Sequence, residues 1–195
     1  MGNECCMQEL ASEYEETEKS VERLSKRSQL ETKNFALLED EDTKRYTETW
    51  HGRGVEEQEI VLPDGSKYVG EVKEGLPEGH GVETHGDGDS YHGDFKKGVK
   101  EGLGEYRFQD GRVYTGQFRN GRIEGRGKLL WENGDWYEGE FQNNIMHGLG
   151  KYHSFGKGAE YEGEYKDGLK HGEGTVRYRN YELKGTWCEG YLQSY

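Results

Sequence analysis

From Tyr68 onward the sequence repeats itself, and the period decides most of what the chain can become. Units begin at Tyr68, Tyr91, Tyr114, Tyr137 and Tyr161, with a stub from Leu183, so the spacings are 23, 23, 23, 24 and 22 residues. Self-similarity at a fixed period of this length marks an array of identical supersecondary units. Each unit is too short to bury a core alone and must borrow one from its neighbours.

Within that frame glycine falls into five columns that absorb 26 of the 31 glycines. Two places after the first aromatic stand Gly70, Gly93, Gly116, Gly139, Gly163 and Gly185; seven places after it stand Gly75, Gly98, Gly121, Gly168 and Gly190, with Asn144 as the exception. Asparagine is the residue besides glycine that best tolerates positive φ, so this column predicts a tight turn with a left-handed residue. Places eleven and thirteen hold Gly79 and Gly81, Gly102 and Gly104, Gly125 and Gly127, Gly148 and Gly150, and Gly172 and Gly174. The fifth column, Gly65, Gly88, Gly111, Gly134 and Gly158, follows Asp or Asn in most units and predicts the hairpin turn into the next one.

Each unit therefore reads as strand, turn, strand, turn. Tyr91, Gly93 and Phe95 share one face of the first strand while His92 and Asp94 share the other; Gly102, Gly104, Tyr106 and Phe108 share a face of the second. Glycine inside a strand marks close approach to the backbone, and the expected occupants are the neighbouring rings. Those rings form two rows: Tyr68, Tyr91, Tyr114, Tyr137 and Tyr161, then Phe95, Phe118, Phe141, Tyr165 and Trp187, with Val72 as the weak member. The predicted fold is mainly β, an elongated, twisted, single-layer antiparallel sheet of tandem hairpins over residues 68–182. Residues 183–195 form a partial repeat or cap, and residues 50–67 an N-terminal cap or degenerate half-repeat.

The pattern YxGxF, two residues and glycine, then HG or EG followed by xG, then a DG or NG turn, resembles the MORN (membrane occupation and recognition nexus) repeat family. The resemblance covers residues 68–182 and departs from the family in one column, where Glu78, Glu101 and Glu124 stand in place of the His kept at His147 and His171. Tyr181 and Leu183 also break the pattern at the far end, as terminal repeats do. The resemblance implies a non-catalytic scaffold for membrane-associated tethering, or for cradling a protein segment along an aromatic groove lined by the two rows named above. It leaves open two alternatives, a direct phospholipid-binding module and a regulatory or targeting subunit of a membrane-associated enzyme such as a lipid kinase.

The sequence ahead of the array differs in kind. Gly2 behind Met1, with Cys5 and Cys6 close after it, resembles the start of a myristoylated and palmitoylated protein, although Cys6 stands where Ser or Thr is usual. One myristoyl chain binds membrane only marginally, with a constant of about 10⁴ M⁻¹, and the glutamates from Glu4 to Glu18 rule out a basic second signal. Palmitate on Cys5 or Cys6 would supply it. Residues 7–49 contain almost no glycine or proline and carry Leu10, Tyr14, Val21, Leu24, Phe35 and Leu38 near heptad spacing, which suits an acidic helical or disordered spacer better than a long coiled coil.

Charge narrows the partners. The chain carries a formal net charge of −13; residues 1–49 hold 13 acids and 7 bases, and residues 50–195 hold 26 acids and 19 bases. Neither part offers the basic face that nucleic acid or anionic lipid needs, and a protein partner, whether helix or extended segment, is expected to be basic. Glu71, Asp94, Glu140 and Glu164 recur on the outer face in support of that. The three cysteines make no disulfide framework, which with the acyl motif places the chain on the cytosolic face of a plasma or internal membrane, the cortical cytoskeleton or a cilium. Gly-x-Gly occurs in every unit as part of the hairpin and is followed by no Gly-Lys-Ser/Thr, so no phosphate loop is expected. No Ser or Cys stands in a nucleophile context. His80, His85 and His92 with Asp87 and Asp89 match neither zinc nor calcium spacing, so neither an enzyme, a cofactor nor a metal is expected.

Overall fold

A computed structural model describes residues 57–194. Every regular element in them is a strand. Thirteen strands, from β1 (Gln58–Val61) to β13 (Tyr191–Ser194), pair in sequence order as one antiparallel sheet, so each strand hydrogen-bonds along its length only to those before and after it in the chain. The sheet is open, with β1 and β13 at its two edges. The acyl motif and the spacer lie outside the described residues.

Two kinds of turn alternate along the sheet, and the glycine columns separate them. The turn inside each unit is a two-residue loop in which both residues have positive φ: Glu74 at 54° and Gly75 at 78°, Asn120 at 49° and Gly121 at 77°, Asn143 at 50° and Asn144 at 69°. Paired positive φ angles match the right-handed twist of the flanking strands, which is why this loop favours Asn-Gly. The turn between units is longer. Phe108 N–H donates to Arg112 O and Gly111 N–H to Phe108 O, and the pairs Trp131–Asp135 and His85–Asp89 close in the same way around Gly134 and Gly88. The Asp-Gly and Asn-Gly dipeptides of the exit column thus make three-residue loops ending in a left-handed glycine, not two-residue hairpins. Where the fifth unit lacks that glycine, the loop shortens, Tyr178 N–H bonds Tyr181 O directly, and the two rings stack at 4.6 Å.

Residues 58–66 are arranged like the second strand and exit turn of a unit, and β1 is the first strand among the described residues. β1 pairs with β2 (Lys67–Lys73), placing Ile60 opposite Tyr68, and Leu62 closes the turn on Ser66.

The glycine columns serve three different purposes, only one of which is to admit a ring. A Cβ on Gly104 would stand 2.5 Å from Tyr91 Oη and 2.6 Å from its Cζ, and one on Gly93 would stand 2.5 Å from the same oxygen. Columns two and thirteen therefore make the bed on which each tyrosine lies. Column eleven is different. Gly79, Gly102, Gly125, Gly148 and Gly172 all have positive φ and face the side chain of Glu71, Asp94, Gln117, Glu140 or Glu164. These residues sit where the register shifts within each unit, an irregularity that bends a sheet locally. The last two columns are the turns.

A third device joins consecutive units. Glu78 Oε2 accepts the N–H of Lys97 at 2.8 Å, Glu101 Oε2 that of Asn120 at 2.8 Å, and Glu124 Oε2 that of Asn143 at 2.9 Å. Each bond reaches 19 residues forward to the left-handed turn of the next unit. The glutamates that replace the family's His are therefore latches between hairpins.

Candidate functional site

Side chains on one face of the sheet build its core. Tyr68, Tyr91, Tyr114 and Tyr137 are fully buried, Tyr161 is 1% exposed, and Phe95, Phe118, Phe141 and Tyr165 are 4 to 5% exposed. Their rings form an unbroken edge-to-face chain running Tyr68, Phe95, Tyr91, Phe118, Tyr114, Phe141, Tyr137, Tyr165, Tyr161 and Trp187, with centroids 4.8 to 5.3 Å apart. Each such contact adds about 0.5–1.5 kcal/mol beyond the area it buries. Units are thus zipped together by every second ring coming from the next hairpin.

Tyrosine rather than phenylalanine occupies the first row for a stated reason. Each hydroxyl donates to the carbonyl three residues on: Tyr68 to Glu71 at 2.7 Å, Tyr91 to Asp94 at 3.0 Å, Tyr114 to Gln117 at 3.1 Å, Tyr137 to Glu140 at 2.9 Å and Tyr161 to Glu164 at 3.1 Å. Burial raises the hydroxyl pKa of Tyr68, Tyr114, Tyr137 and Tyr161, the last to about 12 from the usual 10.

The rows that the sequence offers as a partner groove are therefore the interior of the array. Of the ten residues only Trp187 is half-buried; the other rings are spent on one another and leave a partner almost no surface. The aromatic surface open to solvent on that face belongs to rings flanking the zipper. Tyr106, which pairs with Tyr91 and Tyr114, packs on Phe108 at 4.6 Å, and Trp131 packs on Tyr152 at 5.8 Å; all four are half-buried. Tyr106 and Tyr152 donate to Asp89 and Asp135, each at 2.7 Å, and the second oxygens of those carboxylates accept the N–H of Gln109 and Phe155. These donors hold the Asp89 carboxyl below the usual range, while burial and its aspartate push the Tyr152 hydroxyl up to about 12. The period itself could have revealed this strip, since Tyr106, Leu129, Tyr152 and Val176 recur at one place in the unit.

The outward acids also have other work. Glu71 Oε1 accepts the N–H of His80, Asp94 Oδ2 that of Leu103 and Glu164 Oε1 that of Glu173, while Gln117 does the same for Arg126. An uncharged residue performs the task equally well in the third unit, so the column is no signature of a basic partner. Gly2, Cys5 and Cys6 lie outside the described residues. No helix among the described residues is long and apolar enough to cross a membrane.

A profile of the MORN repeat matches residues 68–90, 91–111, 114–136, 137–155 and 161–182, together more than half of the chain. No curated protein matches the chain. Among solved structures, the chain is similar to the SAS-4 (dCPAP) TCP domain in complex with a proline-rich motif of Ana2 (dSTIL) of Drosophila melanogaster. That likeness has 15% identity and a TM-score of 0.39, over 69% of this chain and 81% of that one. The profile's five matches coincide with five hairpin units that share one buried tyrosine, one glycine bed and one pair of turns, and the chain belongs to the MORN repeat family.

Proposed function

We propose that this repeat scaffold holds a protein partner against the aromatic face of its sheet and is itself tethered to the cytosolic face of a plasma or internal membrane by acyl chains on Gly2 and on Cys5 or Cys6. The partner reading rests on one observation: Tyr106, Phe108, Trp131 and Tyr152 keep aromatic surface open beside a zipper that is complete without it. Half-exposed aromatics of this kind are favoured anchors for a helix or an extended segment. The excess of acids over bases favours a basic partner. The tether rests on the sequence of the first six residues and on the need of a single acyl chain for a second one.

Membrane fractionation and proximity labelling of the full chain test both halves. Gly2→Ala is expected to move the protein to the soluble fraction. Phe108→Ala combined with Trp131→Ala is expected to leave it on the membrane while the labelled partners disappear. Continued pelleting of Gly2→Ala would reject the tether, and unchanged labelling by the double variant would reject the aromatic surface. Flotation of residues 50–195 with acidic vesicles is expected to show no binding.

A further inference from the structure

Two columns on the inner face are apolar in every unit except one. The position paired with the buried tyrosine row is Ile60, Glu83, Tyr106, Leu129, Tyr152 and Val176 in turn. The position three residues before the exit glycine is Leu62, His85, Phe108, Trp131 and Phe155. The first unit breaks both columns at once, with a carboxylate and an imidazole that lie against each other.

Burying a carboxylate in an apolar face is costly unless something neutralises it. Glu83 is only 5% exposed, and Lys100 Nζ lies 2.9 Å from its Oε2. Its other oxygen, Oε1, lies 2.8 Å from His85 Nε2 and 3.5 Å from Ser66 Oγ. Among the described residues the imidazole nitrogen is shut off from solvent and has no hydrogen-bond partner, so the short approach to Glu83 lacks the alignment of a hydrogen bond. Asp64, in the turn before β2, completes the group. Its carboxylate, Glu83 and His85 each bring one ligand atom, and all three atoms lie within 4.8 Å of one another. Ser66 N–H and Oγ–H both donate to Asp64 Oδ1 and fix its orientation.

We propose that Asp64, Glu83 and His85 form a binding site for a divalent transition cation of the zinc class, with water in the remaining positions. A cation between a lone pair and two carboxylate oxygens gives the unpartnered Nε2 the one kind of neighbour it lacks. One imidazole with two carboxylates suits zinc-class ions, whereas calcium demands six or more oxygens and magnesium near-octahedral oxygen ligation. Lys100 tempers the site. It engages Oε2 and leaves Oε1 facing His85, but its positive charge repels the ion and sets a modest affinity. The ion joins the turn that follows β1 to the exit of β3 (Leu76–Thr84), and so fastens the half-unit at the sheet's edge to the first complete one.

The test is titration of the metal-free full chain with zinc chloride alone, in a Cys5→Ser, Cys6→Ser, Cys188→Ser background to remove thiol ligands. Binding is followed by the thermal midpoint and by the imidazole resonances of His85. His85→Phe carries the residue that the next unit has at this place, and so keeps the fold. It is expected to weaken binding at least about tenfold and to abolish the rise in midpoint. Lys100→Gln is expected to lower the midpoint without zinc, to bind zinc more tightly, and to recover the midpoint when zinc is added. Equal binding by His85→Phe, or undisturbed His85 resonances at millimolar zinc, would overturn the site. Failure of zinc to restore Lys100→Gln would likewise reduce the cluster to an ion pair and overturn it.

Discussion

At the scale of single residues, the same amino acid does unequal work in different columns, and substitutions should separate the columns. Gly127 lies under Tyr114, where a Cβ would stand 2.5 Å from Cε2 and Cζ of the ring, whereas Gly121 has nothing within 4 Å and only a φ of 77° to protect. Gly127→Ala is expected to destabilise the array by about 3 kcal/mol, the upper end for overpacking. Gly121→Asn should cost well under the ~1–2 kcal/mol that an ordinary side chain loses in the left-handed region, because Asn144 holds the equivalent place at 69°. Urea unfolding of the two variants measures the difference, and equal losses would deny the distinction. Hydroxyls give a second comparison. Tyr165 stands in the phenylalanine row, its oxygen buried with no hydrogen-bond partner among the described residues, while its ring completes the zipper. Tyr165→Phe removes only that oxygen and should stabilise the fold by about 1 kcal/mol in the same measurement; a loss of stability would show that the hydroxyl has a partner.

At the scale of the hairpin, stability depends on how each unit grips the next, and the glutamate latches are the polar part of that grip. The latch from Glu101 to Asn120 is exposed and charge-assisted, so Glu101→Gln should cost roughly 0.5–1 kcal/mol and speed hydrogen exchange at the Asn120 amide. Exchange there as slow as in the parent would sink the idea. His147 and His171 make no such bond among the described residues, so the turns that follow them should exchange faster than the one at Asn120 even in the parent chain. Much of this was legible in the sequence. A fixed period with glycine columns specifies hairpins, tandem order and the tyrosine row, and Asn144 marks the turn that tolerates only left-handed residues. The rest was hidden because sequence shows spacing but not depth. Alternation puts Tyr91 and Phe95 on one face without saying that neighbouring rings close over them, and it makes Asp94 look outward-facing when its carboxylate is bonded to Leu103 N–H. Three-dimensional convergence was equally hidden: Asp64 lies in the turn after β1 while Glu83 lies at the end of β3 with His85 just beyond it, and no spacing rule links Asp64 to the other two.

At the scale of the whole sheet, sequential pairing and a continuous ring chain tie every described unit to the protonation of its tyrosines. The unfolded chain ionises tyrosine near pH 10. In the folded array burial raises Tyr152 and Tyr161 to about 12 and lifts Tyr68, Tyr106, Tyr114, Tyr137 and Tyr165 above that. A raised folded pKa means that the folded state keeps its proton while the unfolded state releases it. These tyrosines therefore leave stability unchanged below pH 10, and each lowers it as the pH climbs from 10 through its own folded value. Lys170 opposes them weakly, because burial depresses its pKa and the folded state sheds that proton first. Seven raised tyrosines against one depressed lysine give a steep net loss. Contacts only between neighbours would let an array fray from its ends, yet rings shared across every junction make the loss cooperative. Tyrosinate absorbance and circular dichroism recorded together through an alkaline titration should show the buried hydroxyls ionising in the same step in which the β signal disappears. A sheet that persisted while all its tyrosines titrated near 10 would mean that the rings stand in water, and the zipper could not then be what joins the units.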